Sequence, residues 1–212
     1  MQRSRKDQGG PPWLLQGFIL PSSFQLRSSS SPQWLSAVLA DFDAFLVDHA
    51  ANERKASATA LNFVVRYPDR RELIAPMIAL AIEELQHFQA VYALLAQRGI
   101  ELAADERDLY MAGLLKQVRS SGAERLLDRL VVGSVVEARG CERFGLIADA
   151  LEPGPLKDLY LDISASERRH QGLYLELAEC WFEVHEIDSR LEFFLNLEAQ
   201  VLEQLPHLPR LH

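Results

Sequence analysis

Four glutamates interrupt the apolar faces of four predicted helices. Apolar side chains recur in steps of three and four along each of these segments, which predicts helices. The interrupting acids are Glu53, Glu84, Glu137 and Glu167. His87 and His170 each lie three residues after a glutamate, so glutamate and histidine share one helix face. Unpaired carboxylates in a helix-bundle core are costly, so this pattern calls for a neutralising partner.

The pattern occurs twice in the same order. Each half of the chain has a helix with one glutamate, then a helix with Glu-x-x-His, and the interval from Glu53 to Glu84 nearly equals that from Glu137 to Glu167. Di-iron carboxylate bundles have this arrangement of ligands. Two divalent cations would cancel four carboxylates, and oxygen with imidazole ligands suits iron or manganese. We therefore predict a site for two iron ions, while Glu83 and Glu142 lie off the apolar faces and are not chosen.

Caps and breakers predict the bounds of the helices. Ser31-Pro32 is a favourable helix start, Gly99 follows the second helix, and Ser121-Gly-Ala-Glu124 matches a capping box. Pro76 predicts a kink in the second helix or its true start. The predicted helices are 32–66, 70–98, 121–150, 156–184 and a shorter one at 190–205.

The long connection over residues 100–122 predicts the topology. It contains a predicted short helix near 108–119, and it can run the length of a bundle, whereas the other connections are short. The second and third helices are therefore expected to be parallel. The sequence predicts an all-α, ferritin-like four-helix bundle with one long crossover and extra short helices. We assign this domain to 32–212 and a flexible N-terminal extension to 1–31.

Composition restricts the class of protein. The chain is 48% hydrophobic and 25% charged, and its net charge of −8 argues against general coating of nucleic acid. Cys141 and Cys180 are too few for a disulfide framework or a four-cysteine metal site, which predicts a cytoplasmic protein. No apolar run is long enough for a membrane span.

Several residues near the predicted ligands have two interpretations. His49 is read first as a core histidine and second as a ligand or an outer partner of the metal site. Cys141 is read as a small core residue. Tyr160 and Tyr174 pack in the core or take part in electron transfer or hydrogen bonding. The glycines at 133 and 140 leave a substrate cavity beside Glu137 or allow close helix packing.

The short sequence motifs around the predicted ligands resemble those of a known family. They are His49-Ala-Ala-Asn-Glu53-Arg-Lys-Ala, Glu83-Glu84-Leu-Gln-His87-Phe, Val136-Glu137-Ala-Arg-Gly-Cys-Glu142-Arg-Phe and Ser166-Glu167-Arg-Arg-His170. This set resembles the MiaE family, which are tRNA 2-methylthio-N6-isopentenyladenosine hydroxylases. The resemblance covers about 32–205, and it implies the ligands Glu53, Glu84, His87, Glu137, Glu167 and His170.

The resemblance implies a reaction and its partners. A di-iron centre would use O2 to hydroxylate the isopentenyl group of an adenosine beside the anticodon of tRNA. The partners would be the tRNA anticodon arm and an external reductase or ferredoxin-like electron donor, since neither a dinucleotide fingerprint nor an iron–sulfur cysteine set is visible. Arg139, Arg143 and Arg168 are the predicted tRNA contacts. They belong to a wider set that forms either a basic rim or solvated helix faces: Arg54, Lys55, Arg66, Arg70, Arg71, Arg119, Arg125, Arg129 and Arg169.

Other functions remain open from the sequence. A ferritin-like oxidase or hydroxylase could act on a small lipid or quinone. Iron storage or peroxide handling is a second class, although a rubrerythrin-like chain usually adds a four-cysteine site that two cysteines exclude. A metal-free amphipathic bundle is the remaining alternative.

Overall fold

The computed structural model describes residues 24–120 and 122–212, and the regular structure in that part is helical throughout. The helices are α1 (Pro32–Ala40), α2 (Phe42–Arg66), α3 (Arg71–Arg98), α4 (Leu109–Leu115), α5 (Gly122–Ala150), α6 (Pro155–Glu179) and α7 (Val184–Glu203). The predicted all-α class is confirmed. Among the helices described, none combines the length and the hydropathy that a membrane span requires.

The four long helices α2, α3, α5 and α6 form two antiparallel hairpins. Arg98 at the end of α3 pairs with Asp43 at the start of α2, with 2.6 Å between Nη1 and Oδ1. In the second hairpin, Phe144 near the end of α5 contacts Tyr160 near the start of α6, with ring centroids 5.8 Å apart. Each hairpin therefore has its partner helices running in opposite directions.

Contacts between the hairpins establish the long crossover. His49, near the start of α2, contacts Tyr160, and Phe63, near the end of α2, contacts Tyr174 near the end of α6. Helices α2 and α6 are therefore parallel, and so are α3 and α5. Because α3 and α5 point the same way, the connection between them, which includes α4, must run along the bundle. The predicted ferritin-like topology with one long crossover is confirmed.

Several predicted helix bounds are wrong. The short helix predicted near 108–119 ends at Leu115, the helix predicted over 156–184 ends at Glu179, and local caps change two further bounds. The helix predicted over 32–66 is broken at Asp41, which has φ −139° and ψ 70° and accepts a hydrogen bond from the Ala44 amide at 3.1 Å. Asp41 thereby ends α1 and caps the start of α2. The last helix begins at Val184, and not at 190, because Glu183 and Glu186 form a capping box.

Helix α3 begins before Pro76 and continues through it. It starts at Arg71, so Pro76 is inside the helix and is not its first residue. A proline at this depth removes one backbone hydrogen bond, which the rest of a 28-residue helix tolerates. Gly99 ends α3 in the left-handed conformation, with φ 69°. Ser121, the first residue of the predicted capping box before α5, lies outside the described residues.

The N-terminal segment at 24–31 packs on the bundle. Phe24 and Leu26 lie against the main apolar core, and the Ser30 amide and hydroxyl each donate to the Glu142 carboxylate at 2.7 Å. The predicted flexible extension therefore does not include 24–31, and residues 1–23 lie outside the described part of the chain. Sequence composition missed this because the segment is held by side-chain contacts and not by a helix of its own.

The apolar core is divided along the bundle axis. One cluster, which includes Phe63, Leu80 and Leu130, fills the end of the bundle where α2 ends. Another cluster, which includes Phe45 and Ile163, fills the opposite end. The glutamates and histidines singled out from the sequence lie between these apolar layers, where water has little access.

Candidate metal centre

Six predicted residues meet in the middle of the bundle. Helix α2 contributes Glu53, α3 contributes Glu84 and His87, α5 contributes Glu137, and α6 contributes Glu167 and His170. They form two overlapping groups in which one potential ligand atom per residue lies within 4.8 Å of the others. The first group is Glu53, Glu84, His87 and Glu167, and the second is Glu84, Glu137, Glu167 and His170. Glu84 and Glu167 belong to both groups, so each could contact two metal ions.

Several atoms of this cluster are buried without a hydrogen-bond partner. They are Glu84 Oε1, His87 Nδ1 and His170 Nδ1. His170 Nδ1 lies 2.8 Å from Glu84 Oε1, and His87 Nδ1 lies 3.4 Å from Glu84 Oε2, yet neither contact has the geometry of a hydrogen bond. Buried polar atoms are nearly always satisfied, so converging unsatisfied lone pairs indicate that a cation belongs between them. Four carboxylates and two imidazoles fit two divalent iron ions.

Outer partners hold the cluster residues in place. The second ring nitrogen of His170 lies 3.1 Å from Glu83 Oε2, and Ser166 and Arg169 also hydrogen-bond Glu83. A carboxylate on the far nitrogen of a metal-binding histidine fixes the orientation of the ring. Sequence reasoning rightly kept Glu83 off the apolar face but gave it no role. Its position next to Glu84, one turn before His87, was the available clue.

His49 orients Glu53 on the other side of the cluster. Its ring is fully buried, with Nε2 at 2.6 Å from Glu53 Oε1 and Nδ1 at 3.2 Å from the Tyr160 hydroxyl. The interpretation as a core histidine is therefore correct, and the hydrogen bond adds a role in positioning Glu53. Tyr160 packs in the same aromatic cluster and supports His49.

Burial and mutual repulsion perturb the pKa values in the cluster. Burial raises the pKa of Glu137 to about 7 and, together with the charges of Glu137 and Glu84, raises the pKa of Glu167 well above its usual range. Burial would lower the pKa of His170, but contacts with Glu83 and Glu84 raise it to about 10. Burial would also lower the pKa of His87, but contacts with Glu53 and Glu84 raise this pKa to about 9. Protons thus compete with metal ions for these side chains.

A cavity of about 430 Å³ opens beside the carboxylates. Glu53, Glu84, Glu137 and Glu167 lie in its wall, and the remaining wall is largely apolar. Its apolar side chains include Phe63, Met111, Leu115, Val132, Val136, Phe144 and Tyr174. Charged side chains outside the cluster also line the cavity, among them Lys55, Glu106, Asp108 and Arg129. Its apolar surface suits a hydrophobic substituent presented to a metal centre.

The two glycines beside Glu137 have different roles. A Cβ at Gly133 would lie 2.7 Å from the Tyr174 ring, so glycine is required for that ring to pack. A Cβ at Gly140 would lie 3.6 Å from Glu167 Oε2, an ordinary van der Waals contact, so this position tolerates a methyl group. Close packing therefore explains the glycine at 133, and both glycines line the cavity.

The predicted tRNA contacts include two arginines that are buried. Arg139 is 0% exposed, and its guanidinium donates to both oxygens of Glu198, at 2.8 and 3.0 Å. Arg143 is 3% exposed, donates to the Ser30 hydroxyl at 3.0 Å and stacks on Trp34. Neither can reach a phosphate on the surface, so the prediction is wrong for both. Arg168 is exposed, and its role remains a prediction.

The fold and the cluster define a ferritin-like protein whose carboxylates and histidines are compatible with a di-iron site. Within that class, residues 18–212 match the family described as tRNA-(MS[2]IO[6]A)-hydroxylase (MiaE). The chain belongs to the MiaE family.

Relatives with assigned names agree with this membership. The chain is 35% identical over 179 residues to a tRNA 2-(methylsulfanyl)-N(6)-isopentenyladenosine(37) hydroxylase of Pseudomonas putida, covering 84% of this chain and 87% of the relative. It is 36% identical over 135 residues to the protein of the same name in Salmonella typhimurium, covering 64% of this chain and 49% of the relative.

One solved structure with a similar fold is named for a different activity. "Protein 43 with aldehyde deformylating oxygenase activity from Synechococcus" superposes with a TM-score of 0.83 and 37% identity, covering 88% of this chain and 94% of that chain. Its title describes an oxygenase that acts on aldehydes, which is a different substrate from that of the two relatives named above.

Proposed function

We propose that this chain is an O2-dependent di-iron monooxygenase that hydroxylates the isopentenyl group of 2-methylthio-N6-isopentenyladenosine next to the anticodon in tRNA. The observation that carries this proposal is the apolar cavity that leads to the four glutamates of the cluster in a member of this family. The isopentenyl group fits within such a cavity and would reach the carboxylates in its wall.

The proposed ligands divide between the two groups of the cluster. Glu53 and His87 would hold one iron, Glu137 and His170 would hold the other, and Glu84 and Glu167 would bridge them. The bound irons supply the activation of O2, which no side chain can perform. The net reaction places one oxygen atom of O2 in a C–H bond and releases the other as water, and it consumes two electrons and two protons.

The protein's own residues position the substrate and keep water away. Phe144, Val136 and Tyr174 line the cavity next to Glu137, so they would orient the prenyl group toward the cluster and exclude solvent from it. The electrons would come from an external reductase or ferredoxin-like donor, because the two cysteines cannot form an iron–sulfur site in the chain. We place the reaction in the cytoplasm, where tRNA is modified.

The test supplies iron-loaded protein with a reductase, 18O2 and tRNA that carries the prenylated adenosine. Digestion of the tRNA and mass spectrometry of the nucleosides should show one added oxygen atom that carries the isotope. The same protein without iron is the matched control. Unchanged prenylated adenosine from iron-loaded protein with a competent donor would contradict the proposal.

The structure with aldehyde deformylating oxygenase activity favours a second candidate function. An apolar cavity beside a metal site also suits the hydrocarbon chain of an aldehyde. In that case iron-loaded protein should release formate from a fatty aldehyde, and it should leave prenylated tRNA unchanged. Running both substrates side by side separates the two functions.

A further inference from the structure

A narrow cleft lined by arginines lies where α2 ends and α5 begins. Its volume is about 50 Å³, and its lining is Asn62, Phe63, Arg66, Tyr67, Arg125 and Arg129. We call it the arginine cleft. Phe63 and Arg129 also line the large cavity, so the cleft and the cavity share part of their wall. A wider hollow extends from Arg66 and Arg125 to Arg70, which pairs with Asp69 in the same hollow.

The positive charges of the arginine cleft are not compensated. Within residues 24–120 and 122–212, no carboxylate forms an ion pair with Arg66, Arg125 or Arg129. Arg66 donates to the Asn62 side chain at 2.7 Å, and Arg125 donates to the Ser120 carbonyl at 3.1 Å. Both acceptors are neutral.

Arg129 lies in the wall that the cleft shares with the large cavity. Its guanidinium carbon lies 5.6 Å from the centre of the Phe63 ring. Burial lowers the pKa of Arg129, and the like charges of Arg125 and Arg66 add to this effect. The cleft itself is lined by three arginines and by no acid, although the net charge of the chain is −8. An anion would relieve the repulsion between these like charges.

We propose that the arginine cleft binds a backbone phosphate of the RNA substrate. Arginine forms bidentate hydrogen bonds with phosphate, and a cleft of this size accommodates one phosphate group. Tyr67 adds an aromatic ring beside the arginines, a combination that proteins use to hold unpaired nucleotides. The proposal rests on the proposed function, because it assumes an RNA ligand.

The position of Arg129 links the phosphate to the reacting group. Arg129, Gly133 and Glu137 lie on one face of α5, and two helical turns separate the first from the last, about 12 Å along the axis. A nucleotide whose phosphate is held by Arg129 would therefore direct its base and prenyl group along the cavity wall toward Glu137. Arg129 would be a positioning residue for the reaction.

The test measures binding of an anticodon-arm RNA hairpin that lacks the prenyl group. The variants are Arg129→Gln and the double variant Arg66→Gln/Arg125→Gln. Arg98→Gln is the matched control, since Arg98 is an exposed arginine at the opposite end of the bundle. We expect about tenfold weaker binding for each cleft variant and binding close to wild type for the control. The slope of log affinity against log salt should flatten by about 0.7 for each arginine removed.

One further variant and three controls identify the ligand of the cleft and the cause of any loss of RNA binding. Arg129→Lys should retain more RNA binding than Arg129→Gln, because it keeps the charge; equal losses in the two would assign the effect to packing against Phe63 and overturn the proposal. Iron content and thermal unfolding of each variant verify the fold. Equal weakening in the Arg98→Gln control, or a cleft that binds inorganic phosphate as tightly as it binds RNA, would also overturn it.

Different outcomes would refute the proposal for the arginine cleft and the proposed function. Hydroxylation of prenylated tRNA by wild-type protein, combined with unchanged RNA binding in the cleft variants, would refute the cleft and leave the function. Loss of RNA binding in the cleft variants, combined with no hydroxylation of any prenylated substrate, would refute the function and leave the cleft.

Discussion

Glu84 and Glu167 each face both groups of the metal cluster, whereas Glu53 and Glu137 each face one. The four acids look alike in the sequence, since each is a glutamate on an apolar stripe. Their difference is one of position, because α3 and α6 bring Glu84 and Glu167 to the centre of the cluster. Substitutions at these residues should therefore have unequal effects on metal content.

We expect wild-type protein to hold about two irons per chain after expression with iron available. Glu84→Ala should lose both irons because it removes a bridge, while Glu137→Ala and His170→Ala should sharply lower iron content by weakening one position. Elemental analysis of purified protein measures this, and Glu101→Ala is the control, since Glu101 is an exposed glutamate far from the cluster in sequence. Full iron content in Glu84→Ala, or metal-free wild type under reducing conditions with iron supplied, would contradict the expected site.

Metal binding should release protons near neutral pH. Without metal, the pKa of His87 is about 9, that of His170 about 10 and that of Glu137 about 7, so these groups hold protons that a metal ion must displace. Affinity for iron should therefore rise with pH and fall as the pH drops below 7. Calorimetry of metal binding in buffers with different ionisation enthalpies measures the released protons. Binding with no proton release would show that the cluster is already deprotonated.

The six candidate ligands could be chosen from the sequence because a residue's place on a helix face depends on local spacing. Spacing of three and four residues shows that Glu137 faces a core, and the repeated pattern shows which acids belong together. It does not show which side chain on another helix meets a given residue. Arg139 lies one turn from Glu142 and was assigned to the surface for its charge, but its partner Glu198 comes from α7, far along the chain. Glu83 was left without a role for the same reason.

The elements around the cavity depend on close helix contacts that the helical pattern alone does not predict. Apolar spacing places α5 against α6, yet the distance between them at Gly133 is determined by the Tyr174 ring. The break between α1 and α2 is similar, since a capping aspartate, Asp41, interrupts an otherwise continuous pattern. The ends of helices and the closest contacts were thus less predictable than the helices themselves.

Gly133→Ala should destabilise the protein because its methyl group would overlap the buried Tyr174 ring. Overpacking of this kind costs about 1–3 kcal/mol, more than the gain in helix propensity. Gly140→Ala is the matched control on the same helix, since its nearest neighbour would be at 3.6 Å and its stability should be equal or higher. Free energies of unfolding from denaturant titration compare the two. Equal stability of both variants would show that Tyr174 moves without cost.

A buried network joins distant parts of the molecule. Arg139 on α5 binds Glu198 on α7, Glu142 and the Ser28 carbonyl, and Tyr110 on α4 also donates to Glu198. Arg143 reaches the Leu211 carbonyl near the C-terminal end. The same two turns of α5 therefore bind four parts of the molecule, directly or through Glu198: the N-terminal segment, α4, α7 and the C-terminal segment. These arginines have a structural role in place of the RNA contacts predicted for them.

Arg139→Met should destabilise the protein by about 3–5 kcal/mol, because Glu198 would remain buried without its partner. The double variant Arg139→Met/Glu198→Leu should recover part of the loss, since no buried charge is left uncompensated. Chemical denaturation of both variants measures the difference. A loss smaller in the single variant than in the double variant would contradict this account of the network.

The hairpins α2–α3 and α5–α6 carry the same pattern of cluster residues, in which Glu53 corresponds to Glu137, Glu84 to Glu167 and His87 to His170. The correspondence fails one turn before the first pair. There His49 fills the space next to Glu53, and its counterpart Gly133 lines the cavity next to Glu137. The two halves of the cluster therefore carry the same residue types in unequal surroundings: Glu53 is hydrogen-bonded to His49, whereas the space beside Glu137 is left to the Tyr174 ring and the cavity. Two irons held by this cluster would therefore have different outer partners, and we expect two distinct spectroscopic signatures.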